Sequence, residues 1–92
     1  MDDLYTRNGR PLQLTGDQLH SRSGHYLGHV RHGKAFDPTG RYCGTVIGNR
    51  VVYRSIDSAS TSSPTTAANR AASTRANQAR SSLWGHEPPF ED

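Results

Sequence analysis

Through the first 57 residues a glycine returns every seven to nine positions, at Gly9, Gly16, Gly24, Gly33, Gly40 and Gly48. That spacing argues against a helix, because no 3.6-residue apolar stripe survives it, and it suits short strands joined consecutively. The glycines sit in Asn8-Gly9, Gly16-Asp17, Ser23-Gly24, His32-Gly33, Thr39-Gly40 and Gly48-Asn49, pairs that accept the positive φ of tight hairpin turns. Strands are therefore predicted over about 4–7, 10–15, 18–22, 25–31, 34–37, 41–47 and 50–56. The fold class is all-β, a small antiparallel meander of about seven short strands.

The strands come in units of roughly sixteen residues. LYTRNGRPLQLTGDQ (4–18), LHSRSGHYLGHVRHGK (19–34) and AFDPTGRYCGTVIGNR (35–50) align, and VVYRSID begins a fourth copy and stops. Leu12, Leu27 and Cys43 follow the anchoring glycines by three positions, and Leu4, Leu19 and Ala35 precede them by five. In the second and third copies the next apolar residue, Val30 or Val46, falls an odd number of positions beyond Leu27 or Cys43. A β-bulge at Gly28 and Gly44 would return both valines to the core face and bend the strand. Bulges at matching places would curl the sheet until it closes, removing its exposed edges. The pieces TRNGRPLQL, SRSGHYLGHV and DPTGRYCGTV resemble the four-fold β-flower domain family over residues 4–56. The resemblance implies four β petals about a pseudo-four-fold axis and no particular activity. This chain departs from the pattern in its shorter first unit, in Gln13 where the other copies have glycine, and in its truncated fourth unit.

A chain of 92 residues holds one domain, and so short a chain buries only about 60% of its surface on folding. The single cysteine, Cys43, leaves no intrachain disulfide and no multi-cysteine zinc site. The opening MDDLY lacks an apolar segment, and no run approaches the roughly 20 apolar residues of a membrane span. The expectation is a cytoplasmic protein with no membrane partner.

Residues 58–82 contain no aliphatic side chain larger than alanine and no aromatic one. Residues 58–63 read as a flexible linker. From Ser63 and Pro64 onward, Ala68, Ala72, Ala76, Ala79 and Leu83 form a thin stripe, predicting a marginal helix that ends near Trp84 and Gly85 and forms only if docked. The segment LWGHEPPFED then concentrates the only tryptophan with one of two phenylalanines. Such isolated aromatics either anchor a partner or fold back over a small core.

No residue constellation announces catalysis. Cys43 falls in a column otherwise held by leucine and reads as a small buried hydrophobe. His20, His25, His29 and His32 lack a carboxylate or thiol at metal-ligand spacing, so neither metal nor cofactor is expected. The leading expectation is a non-catalytic protein-interaction module: a rigid β scaffold (1–57) with a C-terminal docking arm (64–92). Its partner-binding residues would be Leu83, Trp84, Phe90, Arg75 and Arg80. The alternative is a nucleic-acid-binding domain using Arg10, Arg22, Arg31, Arg41 and Arg50 beside the turns, with Tyr5, Tyr26, Tyr42 and Tyr53 for stacking. A net charge of +3 is weak for that role. A third expectation is a structural subunit of a larger assembly.

Overall fold

The computed structural model describes residues 4–90. Seven strands follow one another, β1 (Leu4–Thr6), β2 (Pro11–Thr15), β3 (Gln18–Ser21), β4 (Tyr26–Arg31), β5 (Lys34–Phe36), β6 (Tyr42–Ile47) and β7 (Arg50–Val52). Consecutive strands pair antiparallel, and β7 closes on β1 in parallel, with Tyr5 opposite Arg50 and Thr6 opposite Val51. The protein is thus an all-β closed barrel. An odd number of alternating strands leaves one parallel seam, and the missing half of the fourth unit is what makes the number odd.

Each strand places one side chain in the barrel interior: Leu4, Leu12, Leu19, Leu27, Ala35, Cys43 and Val51. Leu14, Val30 and Val46 pack against that layer and are only partly buried. The bulges that bring the valines inward lie where β4 and β6 skip a residue. Leu19 faces Gly28 and His20 faces Tyr26, so Leu27 is extra; Ala35 faces Gly44 and Phe36 faces Tyr42, so Cys43 is extra.

The turns at one end share a construction. Gly9, Gly24 and Gly40 donate their N–H groups to the carbonyls of Thr6, Ser21 and Asp37 at 2.9, 3.0 and 2.9 Å. The side-chain oxygens of those same three residues accept the N–H groups of Arg10, His25 and Arg41 at 3.1, 3.2 and 3.0 Å. Short polar side chains at that column therefore satisfy backbone donors that would otherwise face the strand end bare.

The segment after the barrel differs from expectation. No α-helix occurs among the described residues; β7 ends at Val52, short of the predicted 56, and a 3₁₀ turn covers Ser55–Asp57. From Thr61, which bridges Arg41, the chain runs extended around the barrel as a strap. Ser62 donates to the Gly40 carbonyl and Thr65 to that of Pro38; Arg70 donates to Gly24 and Ser73 to Arg22; Gln78 donates to Gly9 and Ser81 to Arg7, all at 2.7–2.9 Å. His86 then exchanges both backbone bonds with Tyr53 at 2.8 Å. The strap advances eight residues per barrel unit and visits the units in reverse order. Its amides cannot donate to barrel carbonyls and to helix carbonyls at once. The alanine stripe has too little apolar surface to favour the helix, so the extended form prevails.

Candidate protein-interaction surface

The eight-residue step fixes which strap side chains meet the barrel. SSPTTAAN (62–69), RAASTRAN (70–77) and QARSSLWG (78–85) align. Their fourth residues, Thr65, Ser73 and Ser81, and their sixth, Ala67, Arg75 and Leu83, are half-buried. The seventh residues, Ala68, Ala76 and Trp84, are exposed. The step that turns alanine outward in the first two octads turns a tryptophan outward in the third, and Trp84 keeps 57% of its surface accessible.

Both neighbours of that indole are fixed. Arg7 donates from Nε to the Leu83 carbonyl at 2.9 Å, and Arg54 donates from Nε to the Trp84 carbonyl at 3.1 Å. The Arg54 guanidinium lies 5.5 Å from the indole centroid, close enough for a cation–π contact. Arg7, Ser55, Ser82, Leu83, Trp84, Gly85 and His86 line a cleft of about 450 Å³. Ile56, the residue after Ser55, is 76% exposed.

The other arm residues are placed differently. Phe90 is 9% exposed and joins the core cluster. Beside His25, Tyr26, Leu27 and Cys43 it closes the barrel mouth on the Gly9, Gly24 and Gly40 side. Arg75 lies 5.1 Å from the Tyr5 ring centroid, which Arg50 also approaches at 5.8 Å. Arg80 is exposed. Leu83, Trp84 and Arg80 thus face or border solvent, whereas Phe90 and Arg75 serve the barrel.

The arginines considered for phosphate contact are differently engaged. Arg10 donates to Glu87 at 2.7 Å and to the Phe90 carbonyl at 3.2 Å. Arg50 donates to the Ala79 carbonyl at 2.8 Å. Arg22 and Arg41 are exposed beside one set of turns, and Arg31 is exposed at the β4–β5 turn on the other end. Tyr5, Tyr26 and Tyr42 are buried and Tyr53 is half-buried.

His20 and His29 sit beneath the strap, while His25, Asp37 and Cys43 border a cleft of about 390 Å³ beside Phe90. His29 meets the Ser62 hydroxyl at 2.8 Å through Nε2 and the Thr65 hydroxyl at 3.1 Å through Nδ1. The first distance suits a nucleophile and base, but no carboxylate orients the ring, and at 4% exposure His29 offers a substrate no approach. His20 meets the Ala68 carbonyl at 2.9 Å. Among the described residues no three His, Cys, Asp or Glu side chains group as metal ligands. Burial, aided by the Asp37 charge, pushes the Cys43 thiol up to about 11. No helix among those residues is long and apolar enough to cross a membrane.

Sequence reasoning singled out Trp84, and counted Arg7 and Arg54 among the arginines near the turns, but missed their place beside the indole and the octad that presents it. The readable signal was the recurrence of Thr65, Ser73 and Ser81 with Asn69 and Asn77 at steps of eight. Comparison with protein-family models, with curated proteins and with solved structures finds no match to this chain.

Proposed function

We propose that this chain is a non-catalytic protein-interaction module in which a rigid barrel and its own strap together present Trp84 to a protein partner. The observation that carries the proposal is the outward octad position: a tryptophan occupies a place where alanine would satisfy the strap equally well, and its surface stays 57% accessible. Tryptophan and arginine are the side chains that dominate binding hot spots, and Arg54 braces the one against the other. The docking arm is, on this reading, a fixed edge of the domain, so binding does not pay the entropy of ordering a free tail. The buried, poorly ionised Cys43 and the inaccessible His29 support a role without catalysis. Membership of the four-fold β-flower family and a cytoplasmic location belong to the same proposal, the first resting on the three turn motifs.

The test is a nuclease-treated lysate pull-down with the full chain beside Trp84→Ala, analysed by mass spectrometry. A protein captured by the first bait and lost from the second, with both baits equally folded, is the expected result. Equal capture by the two would remove the proposal, and nuclease-sensitive capture would return attention to Arg22 and Arg41.

A further inference from the structure

The charges around Trp84 are one-sided. Arg7 and His86 line the cleft and Arg54 covers the indole, while among the described residues no acidic side chain lines it. Glu87, next to His86, and Asp57, two residues after Ser55, are already committed. Glu87 accepts Arg10 Nε at 2.7 Å, the Thr6 hydroxyl at 2.9 Å and the Asn8 N–H at 2.9 Å. Asp57 accepts the Thr45 hydroxyl at 2.7 Å. Arg7 and Arg54 each use only Nε on a strap carbonyl, and their terminal nitrogens have no partner among the described residues. Arg80, exposed, precedes the Ser81 that is bonded to the Arg7 carbonyl.

Resting on the reading that Trp84 is the contact residue, we infer that the partner segment is acidic: an apolar side chain seated against Trp84, flanked by carboxylates that reach Arg54 and Arg7. Two guanidiniums held by backbone carbonyls are pre-oriented, so a carboxylate meets them without first restricting long side chains. A basic or neutral segment would leave these cations unpaired at the contact, which disfavours it.

Trp84 is the only tryptophan, so its fluorescence reports this cleft alone. The full chain is titrated with a peptide carrying Leu-Phe between two pairs of glutamates, and with glutamine and lysine versions of it. The expected result is a saturable emission change with the glutamate peptide at a Kd about tenfold below that of the glutamine version at low salt. The gap should close in about 0.5 M salt. Arg54→Gln should close most of the gap and Arg54→Lys, which keeps the charge but not the fixed guanidinium, should keep only part of it, with the barrel's circular dichroism unchanged in both. Equal or tighter binding of the glutamine or lysine peptide would overturn the acidic class while leaving Trp84 as a contact residue. No response to any of the three would overturn the inference. The pull-down with Trp84→Ala judges the interaction reading separately.

Discussion

Gln78 donates its N–H to the Gly9 carbonyl at 2.8 Å, and its own carbonyl fills the space a Cβ on Gly9 would need. Arg70 stands in the same relation to Gly24 and Ser62 to Gly40. The anchoring glycines therefore do two things. Their φ of 93, 95 and 93° shapes the turn, and their missing side chain admits the strap.

Alanine at Gly9, Gly24 or Gly40 is expected to cost about 1–3 kcal/mol for the backbone alone and to dislodge the local strap octad. Gly16, Gly33 and Gly48 also have positive φ, yet nothing lies within 4 Å of a Cβ there. Alanine at those sites should cost about 1–2 kcal/mol and leave the strap in place. Urea unfolding combined with amide exchange of residues 62–86 separates the two classes.

Phe90 and Trp84 lie six residues apart and should behave oppositely. Phe90→Ala is expected to destabilise the barrel by about 3–5 kcal/mol, as removal of a buried ring does. Trp84→Ala should change stability by no more than about 1 kcal/mol. Denaturant midpoints of the two variants check this. Loss of the fold in Trp84→Ala would mean the indole is structural.

The strap's final step is tied by Glu87, which collects Arg10, Thr6 and Asn8. The Arg10 pair is partly exposed, so its charge contributes little, whereas the bonded neutral donors lose their acceptor outright. Glu87→Ala should cost about 1–3 kcal/mol and Glu87→Gln less. The salt dependence of the wild-type midpoint should be shallow.

Burial pushes the Asp37 carboxyl up, but bonds from the Thr39 hydroxyl and the N–H groups of Arg41 and Thr39, with the Arg41 charge, outweigh it and hold its pKa below 3.8. A depressed folded value contributes stability that is fully present above 3.8 and lost as pH falls through the folded pKa. Asp37→Asn should thus flatten the acid side of the stability profile. Urea midpoints measured between about pH 5 and about pH 2 provide the comparison.

Cys43, buried and with its thiol pushed up to about 11, should react with an aromatic disulfide reagent only when the barrel opens. Its labelling rate should match the global opening rate, and Phe90→Ala should speed it. Rapid labelling of the native chain would place the thiol outside the core.

The barrel was legible because its determinants are local. Turn glycines and an inward residue on every strand from Leu4 to Val51 recur within eight or sixteen positions. Gly28 and Gly44 marked the bulges for the same reason. The strap was illegible as a strap because it is held chiefly by backbone N–H groups, which leave no apolar periodicity. The small residues that suit close approach also score as helix formers, hence the expected helix from Pro64. Trp84 and Phe90 look alike as isolated aromatics. What separates them is the octad register at Trp84 and, at Phe90, the buried Pro88 whose carbonyl accepts the Phe90 N–H at 2.8 Å.

Presentation of Trp84 depends on the strap keeping its eight-residue register, and residue-resolved amide exchange of the full chain tests that most directly. The amides of Ser62, Thr65, Arg70, Ser73, Gln78, Ser81 and His86 are expected to be protected, with those of Ala68 and Ala76 exchanging freely. Uniformly fast exchange from 62 to 86 would contradict the account, because a free tail presents no fixed indole; continuous protection would contradict it too, because it would mean a helix.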